Sequence, residues 1–138
     1  MIVFDLNDRQ SKWKLNGKEV VCDTRSRSKL HLKARGLIKV RFPTLRILEE
    51  VPIRVYNNKT LYLDFYLPLR KTAIEVHGQQ HYEYNSQFHT SHLDLIKQRK
   101  NDSQKSEWCF KNNIELIVLP YYDEEIWESL LCKHTNNN

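Results

Sequence analysis

No apolar run in this chain approaches the roughly 20 residues that a membrane-spanning helix needs. The opening MIVFDLNDRQ has neither a basic start nor a small-residue cleavage site. These absences predict a soluble, intracellular protein. Cysteine is scarce as well: Cys22, Cys109 and Cys132 stand far apart, are odd in number and form no CxxC pair. That excludes a zinc ribbon and a disulfide framework, and it points to reduced thiols. Internal repeats and interdomain linkers are also missing. At 138 residues the chain suffices for one domain with a real core and is too short for two of ordinary size, so residues 1–138 read as one unit.

Positive charge is what the chain has in excess. Lys and Arg number 22 against 17 Asp and Glu, a formal net charge of +5. The excess is uneven. Between Lys12 and Arg46 basic residues heavily outnumber the two acids, Glu19 and Asp23, whereas acids gather late in YDEEIWE. A basic front half suits a polyanionic partner, although a solvated charged face gives the same run.

Residue patterning predicts the elements. KWKLNGKEVVC alternates around Asn16-Gly17, the preferred pair of a two-residue hairpin turn, which predicts a hairpin over about residues 12–22. DTRSRSKLHLKARGLIKVRF opens on capping-type residues and spaces Leu30, Ala34, Leu37 and Ile38 as a helix does, up to Pro43. LRILEEVPIRVY, TLYLDFYLP and KTAIEVHG then read as three antiparallel strands. SHLDLIKQRKNDSQKSEWCFKNN predicts a helix of about 20 residues, carrying Leu93, Ile96 and Trp108 and ending at Asn112-Asn113. IELIVLPYY follows as a strand covered on both faces, and DEEIWESLLCKH as a helix over about residues 122–133. The resulting fold class is α/β: helix, three strands, helix and strand around a mixed sheet, whose last strand returns parallel.

Two charges interrupt otherwise apolar strands: Asp64 in LYLDFYLP and Glu75 in TAIEVHG. A hairpin turn near Leu69-Arg70 brings the two positions near one another across adjacent strands. An Asp and a Glu in successive strands also arise by chance, but an uncompensated carboxylate in such strands is costly. A Mg²⁺ ion between them removes the repulsion, because it takes oxygen ligands from one or two carboxylates. The Val76 carbonyl offers a third oxygen, and His77 shares the face of Glu75 by strand alternation. A zinc reading of His77, His81, His89 and His92 ranks behind this. Gly78 breaks any helix that would align His77 with His81, and no cysteine lies nearby.

This order of elements, with Asp64 and Glu75-Val76-His77 at the strand hairpin, resembles the PD-(D/E)XK nuclease superfamily over about residues 27–120. The resemblance implies a restriction-endonuclease-like αβββαβ core, with the N-terminal hairpin and C-terminal helix added to it. It also implies a Mg²⁺-dependent endodeoxyribonuclease, with Mn²⁺ as substitute, in which Asp64 and Glu75 hold the metal. His77 stands where that superfamily usually has lysine. Closer still, LDFYLP followed by HGQQH looks like the very-short-patch mismatch repair endonucleases and the phage homing endonucleases similar to them. There two histidines, matching His77 and His81, serve the attacking water and the leaving group. RKNDSQK loosely echoes a later motif, making Asp102 and Lys105 weaker carry-overs. Their tryptophan-rich insertion and zinc cysteines are missing, and the acid on the first helix has no counterpart here unless Glu49 or Glu50 supplies it. The resemblance implies double-stranded DNA as partner, the cytoplasm of a bacterial host if the gene is phage-borne, and self-association, since one such site cuts one strand. Lys18, Arg25, Arg27, Lys29, Lys33 and Arg35 are the candidate DNA contacts.

Overall fold

The computed structural model of the protein describes residues 1–15, 18, 19, 28–84, 86, 89 and 91–133. Among these, β1 (Ile2–Phe4) and β2 (Gln10–Lys12) form a small antiparallel ribbon. β3 (Lys18–Glu19), β4 (Leu48–Tyr56), β5 (Lys59–Leu67), β6 (Thr72–His77) and β7 (Glu115–Pro120) form a mixed sheet in the order β3-β4-β5-β6-β7. α1 (Lys29–Arg41) precedes β4, α2 (His92–Lys111) joins β6 to β7, and α3 (Trp127–Lys133) follows a 3₁₀ turn over Tyr121–Ile126. β4, β5 and β6 pair antiparallel, and β7 lies parallel to β6 at the edge. The order helix, three strands, helix, strand and the mixed α/β class are as the sequence predicts.

Local chemistry explains the boundaries. Ser28 caps α1 by accepting the His31 N–H at 3.1 Å, and the helix stops at Phe42, just before Pro43. Pro68–Arg70 makes a 3₁₀ turn that closes on Lys71 in the left-handed region, φ 49°, and this sets the β5–β6 register. α2 ends where Asn112 takes the N–H of Phe4 on its Oδ1 (2.8 Å) and donates to the Trp108 carbonyl (2.9 Å), with Asn113 left-handed at φ 57°.

The sheet is covered on both sides. One side holds Trp108 and Cys109 of α2 and the N-terminal ribbon, where Trp13 packs 4.7 Å from the ring of Tyr66 and 5.1 Å from that of Trp108. The other holds Ala34 and Ile38 of α1 with Trp127 and Leu131 of α3. Along β4 and β5 the alternation changes phase at Glu50 and Asp64. Val51, Ile53, Val55 and Leu63 face the α2 side, whereas beyond the change Leu48 and Tyr66 do so and Phe65 and Leu67 turn to the α1 side. Glu50, at φ 53°, is where the backbone makes this switch.

Three expectations need correction. The first hairpin among the described residues is β1–β2, and Lys18 and Glu19 pair with Glu49 and Leu48 of β4. The β1–β2 turn is built by Asp5, whose Oδ1 accepts the N–H groups of Asn7 (2.8 Å) and Arg9 (2.9 Å), with Asp8 at φ 64°. Residues 16, 17 and 20–22 of the expected hairpin lie outside the described residues. Second, Leu93 and Ile96 are exposed, 66% and 60%, while Gln104, Trp108 and Cys109 are the buried residues of α2. Third, β7 is an edge strand with Glu115, Leu116 and Val118 only half-buried. In α3 the apolar Trp127 and Leu131 pack into the chain's own core.

Candidate active site

At the phase change in β5, two carboxylates replace ladder hydrogen bonds. The Asp64 N–H donates to Glu75 Oε2 at 2.7 Å, and the Val76 N–H donates to Asp64 Oδ2 at 2.8 Å. Each acid thus satisfies a backbone donor of the other's strand where the β5–β6 register, last paired at Phe65 and Ile74, gives out. Glu75 is 1% exposed. Burial first, and the neighbouring Glu75 second, push the Asp64 carboxyl from 3.8 up to about 7. Lys105 reaches in from α2 and donates to Glu75 Oε1 at 2.6 Å. Burial on its own would lower its pKa, but the Glu75 charge and hydrogen bond outweigh that and raise it, so the ammonium is held charged.

The imidazoles lie on the next turn of chain. After Gly78 the 3₁₀ turn Gln79–His81 folds His81 back onto His77, ring centroids 4.1 Å apart and planes within 6°. His81 Nδ1 lies 2.8 Å from Asp102 Oδ2 on α2, and His77 Nε2 lies 4.0 Å from Asp102 Oδ1. Burial, then the proximity of His81, lowers His77 from 6.5 to about 4, so its ring is neutral at neutral pH. Gly78 therefore does not separate the two histidines; it opens the turn that stacks them. His89 and His92 stack on Tyr84 instead (5.9 and 4.2 Å) and are not part of this group.

Asp64, Val76, His81, Gln98 and Lys105 line a cleft of about 550 Å³ whose far wall is the start of α1, with Ser28, Leu30 and His31. Gln98, Asp102 and Lys105 are spaced i, i+4, i+7, so one face of α2 serves the whole cleft. Along the middle of that helix this polar stripe takes the place of an apolar face. A second feature passed unforeseen. His31 Nε2 lies 2.8 Å from Glu49 Oε1, and Arg35 holds both oxygens of Glu49 at 2.9 and 3.0 Å, the acid being fully buried. Glu49 therefore anchors α1 to β4, and it is His31 that α1 presents to the cleft.

The expected DNA contacts divide accordingly. Arg35 is committed to Glu49 and is not available to a phosphate, a correction that follows from burial of the pair. Lys33 bonds Glu124 at 2.7 Å and lies 5.5 Å from the Trp127 ring, so it fastens α1 to the acidic C-terminal segment. Lys29 is exposed in the first turn of α1. Lys18 belongs to β3 by its backbone, its side chain lying outside the described residues with Arg25 and Arg27.

No family model matches the chain, and no solved structure matches it. Among curated proteins, it is 46% identical over 71 residues to uncharacterized protein 094L of Frog virus 3 (isolate Goorha), a stretch covering 51% of this chain and 46% of that protein. It is 35% identical over 70 residues to uncharacterized protein 307L of Invertebrate iridescent virus 6, covering 51% and 36%. It is 33% identical over 65 residues to uncharacterized protein 033L of Invertebrate iridescent virus 3, covering 47% and 34%. The chain thus matches under half the length of each of these viral relatives, over about half of its own.

Proposed function

We propose that the chain is a divalent-metal-dependent DNA endonuclease with a restriction-endonuclease-like core, hydrolysing phosphodiester bonds in double-stranded DNA. The observation that carries this reading is the buried pair Asp64 and Glu75, joined across β5 and β6 and flanked by Lys105 and a neutral histidine. The donor set fits a hard cation. It is carboxylate oxygen, and the burial and neighbouring Glu75 charge that lift Asp64 to about 7 are offset by positive charge. Asp64 and Glu75 would hold Mg²⁺ or Mn²⁺, with the Val76 carbonyl a further oxygen donor. Such an ion supplies charge neutralisation at the phosphate and makes water more acidic.

The chain's own groups account for the proton movements. His77 is uncharged at neutral pH and offers a lone pair to a water proton. His81, oriented through Nδ1 by Asp102, is the group positioned to return a proton to the departing oxygen. Lys105 adds positive potential where negative charge develops. Exposed Lys29, with Arg25, Arg27 and Lys18, would hold the backbone of the duplex. Two such sites are needed to cut both strands, so a site-specific enzyme of the homing type would act as a homo-oligomer. The frog and invertebrate virus relatives favour a viral gene expressed in animal cells over a bacterial host.

The test is nicking of supercoiled plasmid with Mg²⁺, with Mn²⁺ and with chelator, for the native chain and for Asp64→Asn. Cleavage that needs the ion and is lost in the variant supports the proposal. If both chains bind the plasmid equally and neither nicks it under any divalent ion, the chain is a non-catalytic DNA-binding module. Cutting only at flaps, junctions or mismatches would replace the homing reading with a structure-selective or repair nuclease.

A further inference from the structure

We infer that His77, His81 and Asp102 form a second metal site, distinct from the carboxylate pair and selective for a borderline ion of the Zn²⁺ or Co²⁺ kind. Their ligand atoms lie within 4.8 Å of one another. Two imidazole nitrogens and one carboxylate oxygen are donors that such ions favour and that Mg²⁺ does not. The donors come from three separately fixed elements: the end of β6, the 3₁₀ turn, and the middle of α2. All three side chains are between 11% and 16% exposed, so they are shielded without being sealed.

The hydrogen bond from His81 to Asp102 explains only half of this arrangement. Asp102 Oδ1 faces His77 Nε2 across 4.0 Å, too far for a hydrogen bond. Two metal bonds of about 2.1 Å at the tetrahedral angle span about 3.4 Å, so a small closure brings both donors onto one ion. Convergence of the two imidazoles needs one ring to tilt out of the parallel stack, and the adjoining cleft leaves room for that rotation. Of the three ligands His81 lines the cleft, so an ion held here keeps a fourth position towards it, the arrangement of reactive rather than structural zinc sites. Under the nuclease reading, a Zn²⁺ ion here occupies the lone pairs that proton transfer requires, and it switches cleavage off while Mg²⁺ at the carboxylates supports it.

The experiment titrates the full chain with Co²⁺ and follows the visible d–d absorption, with Zn²⁺ as competitor. A Cys22→Ser/Cys132→Ser background keeps thiols, which also ligate cobalt, out of the measurement. The native chain and Asp64→Asn are expected to bind Co²⁺ alike, while His81→Gln, His77→Gln and Asp102→Asn each lose at least about tenfold in affinity. Thermal midpoints of all five proteins identify any variant that fails to fold, and the two remaining ligand variants then decide. Binding abolished by Asp64→Asn, binding unaffected by the histidine and Asp102 variants, or no binding at millimolar Co²⁺ each overturns the site. Cleavage plays no part in this readout. A chain that cuts no DNA yet binds Co²⁺ through His81 keeps the second site and loses the nuclease.

Discussion

Replacing Asp64 with Asn should stabilise the protein at high pH when divalent ions are chelated. Asp64 ionises near 7 in the folded chain and at 3.8 when free, a gap worth on the order of 4 kcal/mol. The folded chain holds this proton more tightly than the unfolded one. Its contribution is therefore full below pH 3.8 and is lost as the pH rises towards 7. Asn cannot ionise, and its carbonyl oxygen can still accept the Val76 N–H that Asp64 Oδ2 takes at 2.8 Å. Urea denaturation in chelator, followed by tryptophan fluorescence, should show Asp64→Asn more stable than the native chain at pH 8. That advantage should shrink by roughly 2 to 3 kcal/mol at pH 5, where Asp64 stays protonated in the folded chain. His77 titrates in both proteins, and burial and His81 outweigh the Asp64 charge in setting its low pKa, so most of its effect cancels. Asp64→Ala removes the same charge but strips Val76 of its acceptor, so it should fall below Asn by about 1 kcal/mol at every pH. An Asn variant less stable than the native chain at pH 8, or equally favoured at pH 5 and pH 8, would refute the reasoning.

Lys105→Met leaves Glu75, 2% exposed at its side chain, without its counter-ion. It should cost about 3 kcal/mol in the same denaturation assay. Glu49→Ala strands Arg35 and His31 around an emptied buried position and should cost about 3 to 5 kcal/mol; Glu49→Leu combined with Arg35→Met should recover a large part of that, since both charges then leave together.

The strands were legible because alternating and continuous apolar runs are local signals, and the two carboxylates stood out for the same reason: charge inside such a run is visible against it. What the sequence concealed depends on non-local contacts. Nothing in LEEV marks Glu50 as left-handed, so the change of phase in β4 and β5 could not be read. Arg35 looked like one more solvent-facing cation in a basic helix, because its partner Glu49 arrives from the next strand. The Asn-Gly signal outweighed a quieter one: the turn at the N-terminus is made by a buried Asp5 carboxylate, whose hydrogen bonds reach only four residues but resemble no hairpin template. The stripe of Gln98, Asp102 and Lys105 could not be read as one surface, since a helix facing a polar cleft and a helix facing water share the same letters.

That stripe has a mechanical consequence. Gln98 to Lys105 covers about 10 Å of one rod, and along that length α2 touches both the imidazoles and the carboxylate pair. Its apolar anchorage lies at the far end, in Trp108 and Cys109, while Leu93 and Ile96 at the near end grip nothing in the core. A repacking at Trp108 that turns α2 by a few degrees would shift Asp102 against His81 and Lys105 against Glu75 in the same movement, so the two halves of the cleft share a single degree of freedom.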